Sequence, residues 1–283
     1  MDTFFLFLSN YRTPLTVGWL VALIAWESLA PFFGFFRRQH PARLRHGIQN
    51  LLVGAPGALL PALGFVSLLA AVAAWTAKHD FGLLNVLPLP RWAHAAGAVL
   101  ILDAFTYSWH FANHRMPFLW RFHRVHHADE KMDATTATRF HIGEIAMSSI
   151  LRVPLLFLTG IQLVELALFE TAMLLVVMFH HANIGVGPRL DRWLRVFIAT
   201  PAMHKVHHSR LRPETDSNFT AFLSVWDRLF RTFRLRDDPH TIDFGLDDFA
   251  APEHRTLLGI YKIPLANPPP PFAGEPPRSS RRV

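Results

Sequence analysis

One stretch of the chain is unusually rich in histidine, from Trp109 to His127 (WHFANHRMPFLWRFHRVHH). Its imidazoles belong to His110, His114, His123, His126 and His127. The end of this stretch recurs far downstream as HKVHH, with His204, His207 and His208. Between the two lie the pair His180–His181 and the single His141. Neutral imidazole is a ligand for iron, zinc, copper and nickel, so the pattern indicates metal chemistry.

The spacing of these histidines places them on common helix faces. Residues at i, i+3 and i+4 of a helix lie on one side, with Cβ atoms roughly 5–6 Å apart. With 17 histidines in 283 residues, one HxxHH pattern is expected roughly 0.06 times by chance, and the chain has two. The sequence therefore predicts that three helical faces converge on one or two metal ions. The alternative is a set of interfacial histidines that hydrogen-bond to lipid headgroups or to neighbouring helices.

The composition favours a membrane protein over a soluble one. Of the 283 residues, 51% are hydrophobic and 17% are charged, and the mean hydropathy is +0.22. Soluble domains carry about a quarter of charged residues. The absence of cysteine excludes disulfides, cysteine-ligated zinc and iron–sulfur clusters held by this chain. The net charge is +7 and basic residues flank apolar segments, so we expect an anionic membrane surface as the partner, not a nucleic acid.

The apolar segments predict an all-α, polytopic membrane bundle of about five spans. We expect single spans near residues 15–36, 48–75 and 92–111, and a helical hairpin over 145–179 that turns near Gly160–Gln162. Pro56 and Pro61 are expected to kink the second span. The N-terminus has no basic stretch before its apolar residues and no small-residue cleavage site, so the first segment is expected to remain as an anchor.

The distribution of arginine and lysine predicts the orientation of this bundle. Residues 37–46 and the chain after Arg189 are rich in arginine, whereas the loops near 78–91 and 160 are poor in basic residues. By the positive-inside rule, the N-terminus lies outside, and residues 37–46, 112–143 and the C-terminal part face the cytoplasm. The clustered histidines then share the cytoplasmic side and line a metal-binding cap. A bacterial inner membrane is the expected location.

This layout divides the chain into three parts. Residues 1–92 are expected to form N-terminal spans and a loop, and residues 93–262 a catalytic domain. Residues 263–283 are rich in proline and basic residues, and we expect them to be disordered.

Polar and aromatic residues near the histidines are candidates for supporting roles. Asp103 lies seven residues before His110 within an apolar segment, where a carboxylate is a functional-site candidate by default. We expect Asp103, Glu144 and Asn183 to hold imidazole N–H groups or to join helices. Asp227 is expected to form a salt bridge or a cap. Glu165 and Glu170 are expected to make packing or oligomer contacts. Aromatic residues next to the histidines favour an interfacial belt, the alternative being the walls of an apolar substrate tunnel: Phe105, Tyr107, Trp109, Trp120 and Phe122.

Several motifs together resemble the fatty acid hydroxylase superfamily, also called the sterol desaturase family. In order along about residues 103–233 they are HFANH, LWRFHRVHH, RFHIGE, HHAN and TPAMHKVHHS, followed by DSNFTAFLSVWDRLFRTF. The resemblance implies an integral membrane, non-haem oxygenase that holds two iron ions, although related proteins can be isolated with zinc. Such enzymes use O2 and two electrons to hydroxylate or desaturate lipids, sterols, carotenoids or alkylglycerol ethers.

The resemblance also implies which residues bind the metals. The ligands would be His110, His114, His123, His126, His127, His181, His204, His207 and His208. His181 is preferred to His180 because of its spacing to Asn183, and His180 remains the alternative. His141 stands where the family has His-Pro-x-Glu, and this sequence has His-Ile-Gly-Glu instead. Asn218 stands where the family has Asn-Tyr-Gly, here Asn-Phe-Thr, and is expected to support the ligands with Asp103, Glu144 and Asn183.

Neither the metal nor the exact reaction follows from ligand type alone, since imidazole suits both iron and zinc. The chain has no haem or flavin motif, so electrons are expected from an external donor such as a ferredoxin or a cytochrome b5-like protein. Arg121, Arg124 and Lys205 lie beside the expected ligands. They are candidates for docking an acidic donor, the alternative being hydration at the surface or pairing with lipid headgroups. The alternatives are a carotenoid hydroxylase, whose first histidine box is typically one residue wider, and a non-oxidative zinc-binding membrane protein. A transporter of that kind would place polar residues near mid-bilayer.

Overall fold

The structure, a computed structural model, describes residues 2–60 and 64–266, with side chains from residue 10 onward. Within these residues the chain forms twelve α-helices, five short 3-10 helices and no β-strand. The α-helices are α1 (Asp2–Leu29), α2 (His40–Leu59), α3 (Phe65–Lys78), α4 (Arg91–Arg115), α5 (Pro117–His127), α6 (Ile142–Thr159), α7 (Leu163–His181), α8 (Pro188–Leu194), α9 (Pro201–His207), α10 (Arg212–Thr215), α11 (Val225–Leu229) and α12 (Leu257–Lys262). The 3-10 helices are Ala134–Thr138, Pro239–Thr241, Asp247–Phe249, Pro252–Arg255 and Ile263–Leu265. The all-α prediction is confirmed for the described residues.

Helices α6 and α7 form the predicted hairpin, with its turn at Gly160. In the part of the chain that the structure describes, these two helices meet the length and apolarity needed to cross a membrane. The prediction of about five spans is not established by this finding. Gly160 ends α6 with φ 76°, and a Cβ there would lie 2.5 Å from Nδ2 of Asn85. Only glycine avoids both the conformational and the steric cost at this position.

The second predicted span is wrong as a continuous helix. The structure has two separate helices there, α2 and α3, with Pro56 inside the first of them. Gly64 precedes α3 with φ 116°, a backbone conformation that a continuing right-handed helix cannot contain. Pro61 lies among residues 61–63, outside the described residues. The first predicted span also differs, since α1 ends at Leu29 and residues 32–39 are irregular or in turns.

Helices α4, α6 and α7 pack so that one terminus of each helix lies at the same end of the bundle. Leu102 of α4, Leu156 of α6 and Phe169 of α7 share one buried hydrophobic cluster. Near the N-termini of α4 and α7, Nδ1 of His94 lies 2.7 Å from Oε1 of Glu165, so the two helices run in the same direction. Helix α6 runs in the opposite direction. The C-termini of α4 and α7 and the N-terminus of α6 therefore converge.

A buried polar network joins α5 to α2 just after the HRVHH motif that ends α5. Asp129 accepts hydrogen bonds from Nδ2 of Asn50 (3.2 Å) and Oγ1 of Thr136 (2.8 Å). Arg139 donates to Oδ1 of Asn50 (2.9 Å) and to the carbonyl oxygen of Val125 on α5 (2.9 Å). Satisfied buried networks of this kind define a single arrangement of the elements they join. The network therefore holds the C-terminal half of α5 in place.

Arg124 of α5 anchors the C-terminal segment. Its Nη2 donates hydrogen bonds to the carbonyl oxygens of Ile263 (2.6 Å) and Ala266 (2.8 Å), and its guanidinium carbon lies 4.8 Å from the centre of the Phe249 ring. Ile263 and Pro264 are buried. The prediction of a disordered tail from residue 263 is thus wrong for residues 263–266, because this arginine binds them. Residues 267–283 of that predicted tail lie outside the described residues.

We predict that Arg124→Met loosens the C-terminal segment and lowers the stability of the fold. Each buried carbonyl left without a partner costs roughly 1–3 kcal/mol. The thermal midpoint in detergent should fall, and proteolysis near residues 257–266 should become faster. Arg121→Met is the matched control, because it removes the same charge from the same helix. The Arg121 side chain makes no hydrogen bond to the described residues. Equal effects of the two variants would contradict the anchoring role.

Candidate metal centre

Nine histidine side chains gather at the converged end of the bundle in two groups. The five-histidine cluster consists of His110, His114, His123, His127 and His207. The four-histidine cluster consists of His126, His181, His204 and His208. In each cluster, one ring nitrogen of every member lies within 4.8 Å of those of all other members. These nine are the residues that the family resemblance implied as ligands.

The two HxxHH motifs each contribute to both clusters. On α5, His123 and His127 belong to the five-histidine cluster, whereas His126 belongs to the other. At α9 the assignment is reversed, since His204 and His208 belong to the four-histidine cluster and His207 to the five-histidine one. On one face of a helix, residue i+4 is rotated from residue i in one direction and residue i+3 in the opposite direction. The side chains at i and i+4 can therefore share one cluster while the side chain at i+3 reaches the neighbouring one. Each motif therefore joins the two clusters and holds them next to each other.

The hydrogen bonds of His110 and His123 show that ring nitrogens without protons point at each other. Nδ1 of His110 lies 2.6 Å from the carbonyl oxygen of Phe219 and must donate to it, which leaves Nε2 with a lone pair. Nδ1 of His123 lies 2.9 Å from the carboxylate of Glu144, and its Nε2 is likewise left with a lone pair. Yet these two Nε2 atoms are 3.1 Å apart. Two lone pairs at that distance repel unless a cation lies between them.

The four-histidine cluster has the same arrangement. Nδ1 of His181 donates to the carbonyl oxygen of Val177 (2.7 Å), so Nε2 carries the lone pair. That Nε2 lies 3.0 Å from Nε2 of His126 and 2.9 Å from Nε2 of His204. Nitrogens bound at about 2.0–2.1 Å to one ion lie about 2.9 Å apart at right angles and about 3.3 Å apart at the tetrahedral angle. The separations therefore fit a shared metal ion in each cluster.

Several ring nitrogens of these histidines have no hydrogen-bond partner among residues 2–60 and 64–266. They are Nδ1 and Nε2 of His114, Nδ1 of His126, Nδ1 of His204, Nε2 of His207 and Nδ1 of His208. Leaving a buried polar atom unpaired is costly, and such atoms usually mark a bound water or ion. The Nε2 atom of His207 is the clearest case, because its Nδ1 donates to the carbonyl oxygen of Ser217 at 2.6 Å.

Burial favours the neutral, metal-binding form of five histidines in the HxxHH motifs of α5 and α9. Burial, followed by the neighbouring imidazoles, lowers the pKa well below 6.5 for His126, His127, His204 and His208. The pKa of His207 is also lowered well below 6.5, mainly by burial. Imidazole must be deprotonated at the coordinating nitrogen to bind a metal. At neutral pH these side chains need not release a proton first.

Glu144 is in contact with the five-histidine cluster, as the sequence predicts. It lies in the first turn of α6, and its Oε1 accepts hydrogen bonds from Nδ1 of His123 (2.9 Å) and Nδ2 of Asn113 (3.0 Å). A carboxylate on the far nitrogen of a ligating imidazole holds the ring orientation and raises its basicity. The other oxygen, Oε2, is buried and accepts no hydrogen bond from the described residues.

Asn218 supports the ligands through the backbone of its own loop. It has φ 51°, and its amide donates to the carbonyl oxygens of Met203 (2.9 Å) and Arg234 (2.7 Å). The carbonyl oxygens on either side of it, those of Ser217 and Phe219, are the ones that orient His207 and His110.

Asp227 holds the same loop in place. Its carboxylate accepts hydrogen bonds from the backbone N–H groups of Phe219 (2.8 Å) and Thr220 (3.2 Å) and from Oγ1 of Thr232 (2.7 Å). The sequence predicted a cap or salt bridge for this residue, and the structure shows a cap of this loop. Its link to the metal-binding rings could not be seen from spacing, because backbone carbonyls make the contact.

Asp103 and Asn183 do not contact the imidazoles. Asp103 accepts hydrogen bonds from the backbone N–H of Leu223 (3.1 Å) and Nε1 of Trp226 (2.7 Å), and so joins α4 to the loop before α11. Asn183 binds both backbone polar groups of Phe33, at 2.8 and 2.9 Å. For both residues the interpretation as helix- and loop-joining groups agrees with the geometry, and a direct bond to a ligand ring does not.

His141 and His180 lie outside both clusters. Nδ1 of His141 accepts a hydrogen bond from the backbone N–H of Gly143 (3.0 Å), so this residue caps α6. His180 is buried with its ring centre 3.9 Å from that of His204, and neither of its ring nitrogens has a well-formed hydrogen bond to the part of the chain that the structure describes. Of the pair on α7, the structure thus brings His181 into the four-histidine cluster.

Two of the three residues suggested for donor docking are buried and cannot form a docking surface. Arg124 is 1% exposed and binds the C-terminal segment. Lys205 is 2% exposed, and its Nζ donates to the carbonyl oxygens of Ala182 (3.1 Å) and Ile184 (3.0 Å) just after α7. Burial lowers the pKa of Lys205 to about 7. Long cationic side chains near a site are solvated only when the fold leaves their head groups at the surface.

A mostly apolar cavity of about 250 Å³ leads to both clusters. Its walls come from α4, α6 and α7, and its inner end is formed by members of both clusters together with Glu144 and His180. Phe105 and Trp109 line it, whereas Trp120 lies against His114 of the five-histidine cluster with the ring centres 5.0 Å apart. The tunnel interpretation therefore applies to Phe105 and Trp109. A concave apolar site with a few converging polar groups is typical of a small-molecule site.

Comparison with known proteins agrees with this geometry. Residues 95–232 match the family model described as fatty acid hydroxylase. The chain is 28% identical over 161 residues to the ornithine lipid hydroxylase OlsE of Rhizobium tropici, a match that covers 55% of this chain and 47% of that protein. It is 28% identical over 202 residues to alkylglycerol monooxygenase of Homo sapiens, covering 70% and 43% of the two chains. Cholesterol 25-hydroxylase of Rattus norvegicus is 27% identical over 161 residues, with coverage of 53% and 49%.

The chain spans about half the length of the curated relatives that it matches. No solved structure matches it significantly. The matched segment contains all nine clustered histidines, from His110 to His208, and the loop that orients two of them. The resemblance inferred from the motifs is confirmed: residues 95–232 of this chain are similar to the fatty acid hydroxylase family.

Proposed function

We propose that this protein is a membrane-bound, O2-dependent hydroxylase that acts on a lipid or sterol-like apolar substrate and holds two iron ions. One observation carries the proposal: two sets of imidazole nitrogens converge on two points at the inner end of an apolar cavity. The related proteins named above are hydroxylases and monooxygenases, which supports the same reaction class.

The five-histidine cluster would hold one iron ion and the four-histidine cluster the other. Imidazole suits iron, and zinc is expected to replace it on isolation because the affinity order favours zinc over Fe2+. When bound, the two ions would supply the activation of O2 that insertion into a C–H bond requires. One oxygen atom enters the C–H bond and the other leaves as water. That balance needs two electrons and two protons, and an external donor, ferredoxin-like or cytochrome b5-like, would supply the electrons.

The residues of this chain would bind and orient the substrate. Phe105 and Trp109 would hold an apolar chain in the cavity and exclude water from its inner end. Glu144 would keep the ring of His123 in its ligating orientation, and its unpaired Oε2 is placed to accept or return a proton at the cavity wall. Desaturation of the same substrate class is the alternative outcome at such a site.

The proposed setting is a bacterial inner membrane with the clusters on the cytoplasmic side and the N-terminus outside. The arginine distribution supports this orientation. The apolar hairpin of α6 and α7 supports membrane insertion. We also propose residues 93–262 as the catalytic domain and residues 1–92 as N-terminal membrane segments.

We predict that metal content follows the clusters and not the sequence motifs. The double variant His126→Ala/His208→Ala removes two ligands of the four-histidine cluster, although the two residues come from different motifs. It should retain about one ion per chain, against two in the unchanged protein, as measured by elemental mass spectrometry on detergent-purified protein loaded with zinc. His127→Ala/His204→Ala, which removes one ligand from each cluster, should weaken both sites.

His141→Ala is the control for this experiment, because His141 lies outside both clusters and should leave two ions bound. Loss of both ions from His126→Ala/His208→Ala alone would favour one ion per motif and would contradict the interleaved assignment.

We predict that the metal-free protein loses stability as the pH falls below about 6.5. The folded-state pKa of His126, His127, His204, His207 and His208 lies well below that value, whereas these residues titrate near 6.5 in the unfolded chain. Below 6.5 the unfolded state binds more protons, so the free energy of unfolding decreases by about 1.4 kcal/mol per pH unit for each such histidine. Thermal midpoints in chelator between pH 5 and 8 would measure this. A midpoint independent of pH across that range would contradict buried neutral imidazoles.

We predict an oxygen-dependent change in the lipids of cells that express the protein. Extracts compared by mass spectrometry should contain species heavier by one oxygen atom than their precursors, or lighter by two hydrogens if desaturation occurs. The His126→Ala/His208→Ala variant, expressed at the same level, should lack them. Lipids unchanged by oxygen in both cases would indicate a non-oxidative metal protein and overturn the proposal.

A further inference from the structure

A pair of charged side chains lies in the cavity wall, in a part of the molecule that is otherwise apolar. Nη1 of Arg152 on α6 donates to Oε1 of Glu170 on α7 at 2.6 Å. Nη2 of Arg12 on α1 lies 3.4 Å from the other carboxylate oxygen of Glu170. Arg152 lines the cavity that ends at the two histidine clusters. Ionisable residues within an apolar helix are costly and often mark a functional site.

The position of Arg152 along α6 separates it from the metal end of the cavity. Ile145, Ser148 and Arg152 all line the cavity, at spacings of three and four residues that keep them on one face of the helix. Glu144, beside His123, precedes Arg152 by eight residues, which corresponds to about 12 Å along the helix axis. This face of the cavity thus has Glu144 and the imidazoles near one end and the guanidinium of Arg152 near the other.

The charges at the far end of this cavity do not cancel. Two arginines and one glutamate carry a net charge of +1. Among the described residues, the guanidinium of Arg152 makes one hydrogen bond, from Nη1 to Glu170. The side chain of Arg152 is 21% exposed, so its remaining N–H groups are accessible. A guanidinium offers five N–H donors in a planar fork that matches a carboxylate or a phosphate. A pair that only joined two helices would need no surplus positive charge and no exposure to the cavity.

We propose that Arg152 is an anion-binding subsite for the acidic head group of an amphiphilic substrate. The apolar chain of that substrate would run along α4, α6 and α7, past Trp109 and Val177, to the histidine clusters. The carbon at the metal end would then be separated from the head group by roughly 12 Å of chain. Glu170 positions the guanidinium and moderates its charge. This inference rests on the proposed function for the identity of the metal end as the reacting end.

The test compares three probes of equal chain length with the full-length protein in detergent. Hexadecanoic acid and hexadecyl phosphate carry an acidic head group, and methyl hexadecanoate does not. Displacement of a fluorescent fatty acid measures their affinities. The unchanged protein should bind at least one acidic probe about tenfold or more tightly than the ester, as expected for a hydrogen-bonded charge pair. The two acidic arms distinguish a carboxylate from a phosphate head group.

The variants separate an anion subsite from a helix-joining ion pair. Arg152→Gln should bring the acid and ester affinities to within about twofold of each other, while Arg152→Lys should keep part of the preference. Glu170→Gln should increase the preference for the acid, because the net charge of the group rises from +1 to +2. Arg12→Gln removes the other ion pair to Glu170 without changing a residue that lines the cavity. It lowers the net charge of the group from +1 to 0, so the preference should fall, but by less than in Arg152→Gln, because the guanidinium of Arg152 remains.

Two results would overturn the subsite. One is equal binding of acids and ester by the unchanged protein, and the other is a preference that survives in Arg152→Gln. If Arg152→Gln fails to fold, as judged from its thermal midpoint, Glu170→Gln decides, since a purely structural pair predicts no gain in acid binding. Selective acid binding without any oxygen-dependent product would refute the proposed function and leave the subsite intact. Product formation without selective acid binding would refute the subsite and leave the proposed function intact.

Discussion

The repulsion between facing imidazole lone pairs is the constraint on which the rest of this structure depends. His110 and His123 have their far nitrogens committed to a carbonyl and a carboxylate, so their Nε2 atoms face each other without a proton between them. Such an arrangement is stable only when the surrounding fold enforces it and a cation compensates for it. The helix packing, the buried network around Asp129 and the loop around Asn218 all contribute to that enforcement.

The interleaving of the two motifs makes the centre one unit. A change in the tilt of α5 or α9 would move ligands of both clusters at once, because each helix contributes to both. This coupling explains why so many polar contacts outside the clusters act on these two elements. Arg139 holds the carbonyl oxygen of Val125 on α5, and Asn218 holds the carbonyl oxygen of Met203 on α9. These polar contacts fix the position of the backbone of α5 and α9, and the backbone in turn fixes the positions of the imidazole rings.

The cavity connects this centre to the apolar part of the molecule. Its lining from α4, α6 and α7 places aromatic residues near the histidines and a charged group near the other end. In the proposed binding mode, an amphiphile would place its apolar chain along these walls and its head group at Arg152, and that combination would fix which carbon reaches the clusters. Position along the chain would then be selected by distance and not by contacts at the reacting carbon.

The sequence by itself indicated the all-helical fold, the α6–α7 hairpin and the shared helix faces of the histidine motifs. These follow from local rules: helical spacing, the length of apolar runs and the need for glycine at a left-handed turn. The set of nine histidines came from the resemblance of the motifs to a known family. It did not determine that a break at Gly64 would separate α2 from α3, since composition alone does not show which of several proline and glycine positions interrupts a helix.

Only the tertiary structure decided the division of the histidines into five and four, the capping role of His141 and the burial of Arg124 and Lys205. It also decided that the carbonyl oxygens of Ser217 and Phe219 orient two ligands. Spacing along a helix says which side chains share a face, but the partner of that face comes from elements far away in the chain. That partner is set by packing.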